Sequence, residues 1–242
     1  MPTKPSIVFA HGLWADGSCF SKVIKLLQAD GFEVIATQNQ LNTVEDDAAA
    51  VRTSFNRVSS PIVLVGHSYG GTVITVAGTD DRVGALVYIC ALAPDEGETS
   101  QAEQDKHPRT AVFDHIEVVD GRIWLKESGT AEFCGDLSDE EQKLVFATQG
   151  APLADLFTQP VRGAAWKKKP TFYIVGANDH TVHPDLERFV AKRMNAKVTE
   201  LQSSHVPMLS QPQRVYEVIK EAAEAISQGA AQVQQQPEPT LA

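Results

Sequence analysis

Cysteine is scarce in this chain: Cys19, Cys90 and Cys134 stand far apart among 242 residues. An odd number at such spacings offers neither a disulfide framework nor a zinc-binding pattern. Positive charge is also short, with 21 Lys and Arg against 31 Asp and Glu, a formal net charge of -10. That balance argues against a nucleic-acid partner and against anionic membranes. The one basic run, Lys167-Lys168-Lys169, stands before Pro170 and reads as a solvated loop rather than a phosphate site. No apolar stretch approaches the ~20 residues a membrane span needs. The opening "MPTKPSIVFAHG" has too short an apolar core for a signal peptide, so a cytoplasmic location is expected.

What is present belongs to an ordinary globular protein, 43% hydrophobic and 21% charged, long enough for one large α/β domain. Six short apolar runs read as strands: 6–10, 33–37, 61–67, 83–92, 170–177 and 197–201. Ile62-Val63-Leu64-Val65 is apolar at every position, which suits a strand buried on both faces of a parallel sheet. Helical spacing appears at 18–29, 44–57, 69–79, 185–194 and 211–227, with Thr43 as an N-cap and Pro184 at a helix start. The alternation predicts a doubly wound α/β sheet of six mostly parallel strands.

The alternation fails between residues 95 and 168. Acidic polar stretches there carry scattered Phe113, Trp124, Phe133, Phe146, Leu156 and Phe157, read as a partly helical cap inserted over one end of the sheet. Residues 1–94 and 169–228 then form the core. The segment 229–242, rich in Gln and Pro, is expected to be mobile.

The chemistry concentrates in "PIVLVGHSYGGTVITVAG". Gly66-x-Ser68-x-Gly70 fits a nucleophile elbow, preceded by a buried strand and followed by a helix. A sharp strand-to-helix turn has no room for a Cβ two residues either side of the serine. It also leaves the Tyr69 N–H at a helix N-terminus, where an oxyanion would bind. In "VFAHGLWADG", Gly12 allows a close turn and the Leu13 N–H is the second candidate donor. His11 reads as a structural residue, and Trp14 as part of an acyl pocket or of the core. An activated serine needs a base and an orienting carboxylate. The order Ser, Asp, His is met by Ser68, by Asp179 after the strand ending at 177, and by His205 after the last strand. Asp185 lies inside a helix and points less readily to the strand end. Asp179-His180-x-x-His183 carries possible metal ligands, but Pro184 interrupts their helical presentation and no metal is expected. His67 reads as buried against the turn, and His107 and His115 as surface residues.

On "VFAHGLWADGSCFSKVIKLLQADGFEV", "LVGHSYGG", "IVGANDHTVHPDLERFVAKRM" and "SSHVPMLSQPQRV", the chain resembles the α/β-hydrolase superfamily from residue 5 to about 228. It is most similar to the branch containing plant-type methyl-ester esterases and hydroxynitrile lyases. The resemblance implies a chain entering at the family's third strand, hence six strands. It also implies a competing chemistry. The lyases of this branch place a lysine after the catalytic histidine, to stabilise cyanide, and a threonine after the first-loop histidine. Here Val206 and Gly12 hold those positions, which favours the esterase. Dehalogenases and epoxide hydrolases usually carry Asp at the elbow, where this chain has Ser68, while perhydrolase activity would use the same triad. The expected protein is a cofactor-independent serine hydrolase of a small carboxylic ester or lactone. A small-molecule receptor on the same fold is the second expectation.

Overall fold

A computed structural model describes residues 4–234. The strands β1 (Ser6–Ala10), β2 (Val34–Ala36), β3 (Ile62–His67) and β4 (Val83–Ile89) come first. A small hairpin follows, β5 (Ile116–Val119) with β6 (Arg122–Leu125), then β7 (Thr171–Gly176) and β8 (Lys197–Leu201). The larger helices are α1 (Ser21–Ala29), α2 (Val44–Ser54) and α3 (Tyr69–Ala77). Three short ones, α4 (Ser100–Gln104), α5 (Thr130–Cys134) and α6 (Asp139–Ala147), belong to the segment before β7. The chain ends in α7 (Pro184–Arg193), α8 (Pro207–Ser210) and α9 (Pro212–Gln234).

All strands except the hairpin form one parallel sheet of order β2-β1-β3-β4-β7-β8. Every residue of β1, β3 and β7 is buried, so these strands are apolar along their length instead of alternating. The helices α2 and α3 pack together, with α3 against β1 and β3, while α9 lies along β3, β4 and β7 and meets α1. Local chemistry agrees with the elements. The Thr43 hydroxyl accepts the Asp46 N–H at 3.0 Å, and three acids occupy the first turn of α2, where the helix dipole favours them. From β1 the chain goes out to β2 and returns to β3 on the other side of β1. That reversal opens a crevice at the carboxyl ends of β1 and β3, where open α/β sheets place their ligands.

Three expectations need correction. The segment 95–168 is partly helical, but it also holds the β5–β6 hairpin. Asp120 and Gly121 make its turn with φ of 51° and 73°, the conformation an Asp-Gly pair favours between two strands. The hairpin carries no buried-strand pattern because Val118 and Val119 face solvent. Second, α9 extends to Gln234, so the mobile tail expected from 229 begins in helix; residues 235–242 lie outside the described residues. Third, His107 and His115 are half-buried. The His107 ring lies 6.4 Å from that of His183 and 5.8 Å from that of Phe189, and burial pulls the imidazole below its ordinary value.

Candidate active site

Ser68 stands between β3 and α3 with φ 56° and ψ -126°, a backbone conformation that a non-glycine residue holds only when its surroundings enforce it. The two glycines show how tightly they do so. A Cβ on Gly66 would lie 2.5 Å from the Gly70 carbonyl oxygen, and one on Gly70 would lie 2.1 Å from the Ala10 oxygen. The Ser68 N–H donates to the Ile89 carbonyl at 3.0 Å, and its own carbonyl accepts the Gly71 N–H at 2.9 Å. The next residue is anchored from its far end: the Tyr69 hydroxyl donates to buried Asp47 at 3.0 Å, and Asp47 also accepts the Gln40 and Leu41 N–H groups.

Asp179 and His205 meet below this turn, both buried. His205 Nδ1 donates to Asp179 Oδ2 at 2.5 Å, while Oδ1 accepts the Thr181 and Val182 N–H groups at 2.6 and 2.9 Å. With its proton on Nδ1, His205 carries a lone pair on Nε2, and that atom is buried with no partner. Ser68 is tied to His205 through its neighbour. The His67 ring lies 4.6 Å from the His205 ring, and His67 Nε2 donates to the His205 carbonyl at 2.8 Å. Burial, then the proximity of His205, pulls His67 well below an ordinary histidine, so it is a neutral spacer. Among the described residues Ser68 Oγ makes no hydrogen bond to His205.

The other expected residues gather here too. A Cβ on Gly12 would lie 2.5 Å from Ser68 Cβ and 3.1 Å from its Oγ, so the first loop runs directly against the serine. No hydrogen bond of the Leu13 or Tyr69 N–H is found among the described residues. His11 is structural: Nδ1 donates to the Gly12 carbonyl at 2.8 Å and Nε2 accepts the Asn39 N–H at 2.9 Å, with burial holding it below its usual value. Trp14 is buried, with φ 52°. Its indole N–H donates to Ile123 of the hairpin at 3.0 Å and its backbone N–H to Gly150 at 2.9 Å.

Leu13, Trp14, Leu92, Phe113, Phe157 and Val182 line a cavity of about 20 Å³ at Ser68, little more than one water needs. Gln104 and Thr181 add polar groups to its wall. Gln104 and Phe113 also form one side of an outer groove of about 350 Å³, lined further by His107, Arg109 and His183. Thr181 was not foreseen. Its hydroxyl is buried without a partner, and its only signal in the sequence is its place two residues after Asp179. The side chains of Asp179, His180 and His183 are engaged separately: His180 pairs with Glu132 at 2.6 Å, His183 accepts the Asp185 N–H at the start of α7, and Asp179 accepts from His205. Cys90 Sγ does come within 4.8 Å of ligand atoms of Asp179 and His205. Burial pushes that thiol well up, and the His205 nitrogen facing Asp179 already holds the bridging proton, so the donor set does not suit a cation.

A strained serine at the switch point of a parallel sheet, an aspartate-held histidine and a cover over the crevice define the hydrolase class of α/β proteins. The comparisons agree: residues 7–218 match the alpha/beta hydrolase family, and the chain belongs to it. It is 26% identical to a pyrethroid hydrolase of Sphingobium wenxiniae over 92% of this chain and 89% of that protein. It is 24% identical to methylesterase 8 of Arabidopsis thaliana over 87% and 86%. The solved structure of a pyrethroid hydrolase superposes with a TM-score of 0.79 at 24% identity, covering 93% of this chain and 100% of that one. Polyneuridine aldehyde esterase superposes at 0.78 and 19% identity, covering 90% and 99%. The chain is thus an ester-cleaving hydrolase by family, similar to esterases that include plant methylesterases.

Proposed function

We propose that the protein is a cofactor-independent serine hydrolase acting on a small carboxylic ester or lactone. The observation that carries the reading is the His205 imidazole, held by Asp179 with its Nε2 lone pair buried and unpartnered, its ring packed against that of His67, the residue next to a strained serine. Ser68 Oγ attacks the substrate carbonyl and its proton passes to His205 Nε2. The Leu13 and Tyr69 N–H groups hold the oxyanion. As the C–O bond to the leaving alcohol breaks, His205 returns the proton to that oxygen, and an acyl-enzyme remains. His205 then takes a proton from water, the hydroxide attacks, and the carboxylic acid leaves as Ser68 is restored.

The small apolar cavity favours a compact acyl or alcohol group. The free hydroxyl of Thr181 favours a substrate that carries a hydrogen-bonding substituent near the scissile bond. Val206, 1% exposed and apolar, and Gly12, with no space for a side chain, supply neither the cation nor the hydroxyl of the lyases. The near closure of the cavity is the one feature that favours a ligand-retaining receptor instead.

Ser68→Ala is expected to abolish fluorophosphonate labelling and to lower p-nitrophenyl acetate turnover by about 10⁴-fold or more. Unchanged labelling in that variant would overturn the role of Ser68. A single burst of product with lasting retention, in place of multiple turnover, would favour the receptor.

A further inference from the structure

Glu187 is an acid in the wrong place for a solvated helix. On α7 the buried residues are Leu186, Glu187, Val190 and Ala191, so Glu187 shares the apolar stripe that faces the sheet. It is fully buried. Its Oε2 accepts the Gly176 N–H at 2.9 Å, and its Oε1 has no partner among the protein's ordinary donors. No lysine or arginine is bonded to it among the described residues; Arg188, next along the helix, is engaged by Asp185 and Glu200 outside.

The groups that face it are Cys90, Tyr173 and Asp179. Burial pushes the thiol and the phenol well up, so both are neutral. Burial and then the charge of Asp179 push the Glu187 carboxyl well up as well, and both residues close on Gly176: Glu187 Oε2 accepts its N–H at 2.9 Å, and the Asp179 N–H donates to its carbonyl at 3.2 Å. Two buried carboxylates side by side with no cation cannot both be ionised. Which one keeps the proton follows from counting donors. Asp179 receives two backbone N–H groups on Oδ1 and the imidazole N–H on Oδ2, whereas Glu187 receives one backbone N–H. Asp179 is therefore the anion, and of its roughly four acceptor positions one remains, on Oδ2. The Oε1 of Glu187 is the unpartnered carboxyl atom left to fill it.

We propose that Glu187 is a positioning residue for the aspartate–histidine pair: as a neutral carboxylic acid it donates an O–H to Asp179, fixing the carboxylate and sharing its negative charge. The inference rests on the proposed roles of Asp179 and His205. Its chemical meaning is a brake on basicity. A carboxylate that already receives a strong donor stabilises the imidazolium less, which keeps His205 neutral, and so competent as a base, to lower pH.

The test compares Glu187→Gln, which keeps an N–H donor toward Asp179 and an acceptor for Gly176, with Glu187→Leu, which keeps only the shape. The His205 titration is followed by NMR of labelled imidazole, in the Ser68→Ala background so that no turnover is required, and the pH profile of p-nitrophenyl acetate hydrolysis is recorded with Ser68 intact. Glu187→Gln should leave the His205 titration in place and rescue kcat/KM to within about threefold of the parent. Glu187→Leu should move both the titration and the acid limb upward by roughly half a pH unit or more. Infrared difference spectra should show a carboxylic-acid C=O band that Glu187→Gln removes. If Glu187 is ionised instead, Glu187→Gln will shift the titration downward and no acid band will be lost. A titration unmoved in Glu187→Leu would reduce the residue to packing. Should Glu187→Leu not fold, the Gln variant and the infrared band still decide. Absence of any ester turnover would count against the proposed function, while the NMR and infrared results would judge Glu187 separately.

Discussion

At the amino ends of the strands most polar groups find partners, the buried Trp166 indole N–H before β7 being an exception. Arg82 grips Asp80 with two guanidinium bonds of 2.9 and 2.8 Å and reaches Asn56 at 2.8 Å. Glu33 accepts the Ser6 hydroxyl and the Ser59 N–H, both at 2.7 Å, and Lys169 closes on the Val83 carbonyl at 2.8 Å. At the carboxyl ends the reverse holds. His67 Nδ1, Thr181 Oγ1, Glu187 Oε1, Ser203 Oγ and His205 Nε2 are all buried without a partner, and Ser68, Trp14 and Cys90 hold positive φ. Unpaired buried groups and strained backbones each cost about 1–3 kcal/mol. One edge of the sheet thus holds most of the satisfied pairs, and the other most of the buried groups without a partner.

The largest way to break this contrast is at the elbow. Gly70→Ala would drive a Cβ into the Ala10 carbonyl, so a loss of about 3 kcal/mol is expected in denaturant melts, with Ser68 labelling lost alongside. An unaltered melt would mean that the turn relaxes freely. Thr181→Val removes an unpaired buried hydroxyl, and should raise stability by about 1 kcal/mol while lowering kcat/KM about fivefold for 2-hydroxy esters relative to plain alkyl esters. Parallel changes for both ester types would remove Thr181 from substrate recognition. The smallest effect belongs to the amino edge. The Arg82 hydrogen bonds hold the Asp80 carboxyl down to about 2. A depressed folded value means stability present above about pH 4 and lost as pH falls toward 2. Asp80→Asn should therefore flatten acid unfolding across that window, cost under ~1 kcal/mol at neutral pH, and leave ester turnover as it was.

The amino edge was the easier one to read from sequence. Strands buried on both faces announce themselves as apolar runs, as β3, β4 and β7 do, while the edge strands β2 and β8, less buried, follow from the strand–helix alternation. The elbow and its partners were legible because a sharp turn demands Gly66 and Gly70, and because the sheet brings every strand's carboxyl end to one side. The groups that complete the site were not. Gln104 reaches the cavity through the irregular cover, whose short elements are set by tertiary contacts such as Trp14 with Ile123, and Thr181 through the loop after β7, whose path no apolar pattern marks. Glu187 left one trace: its neighbours Leu186, Val190 and Ala191 mark the buried stripe of α7, so an acid among them already stood where a solvated charge does not belong.

Trp14 joins two parts of the molecule that would otherwise answer to different forces. Its ring and its backbone both hang from the cover, at Ile123 and Gly150, while its peptide neighbour Leu13 lines the cavity at Ser68. Lifting the hairpin therefore means either parting the Ile123 bond or dragging Trp14, and the Leu13 peptide joined to it, along. The cover and the first loop are thus joined mechanically at one residue, so a change that loosens either is felt as a strain in the other.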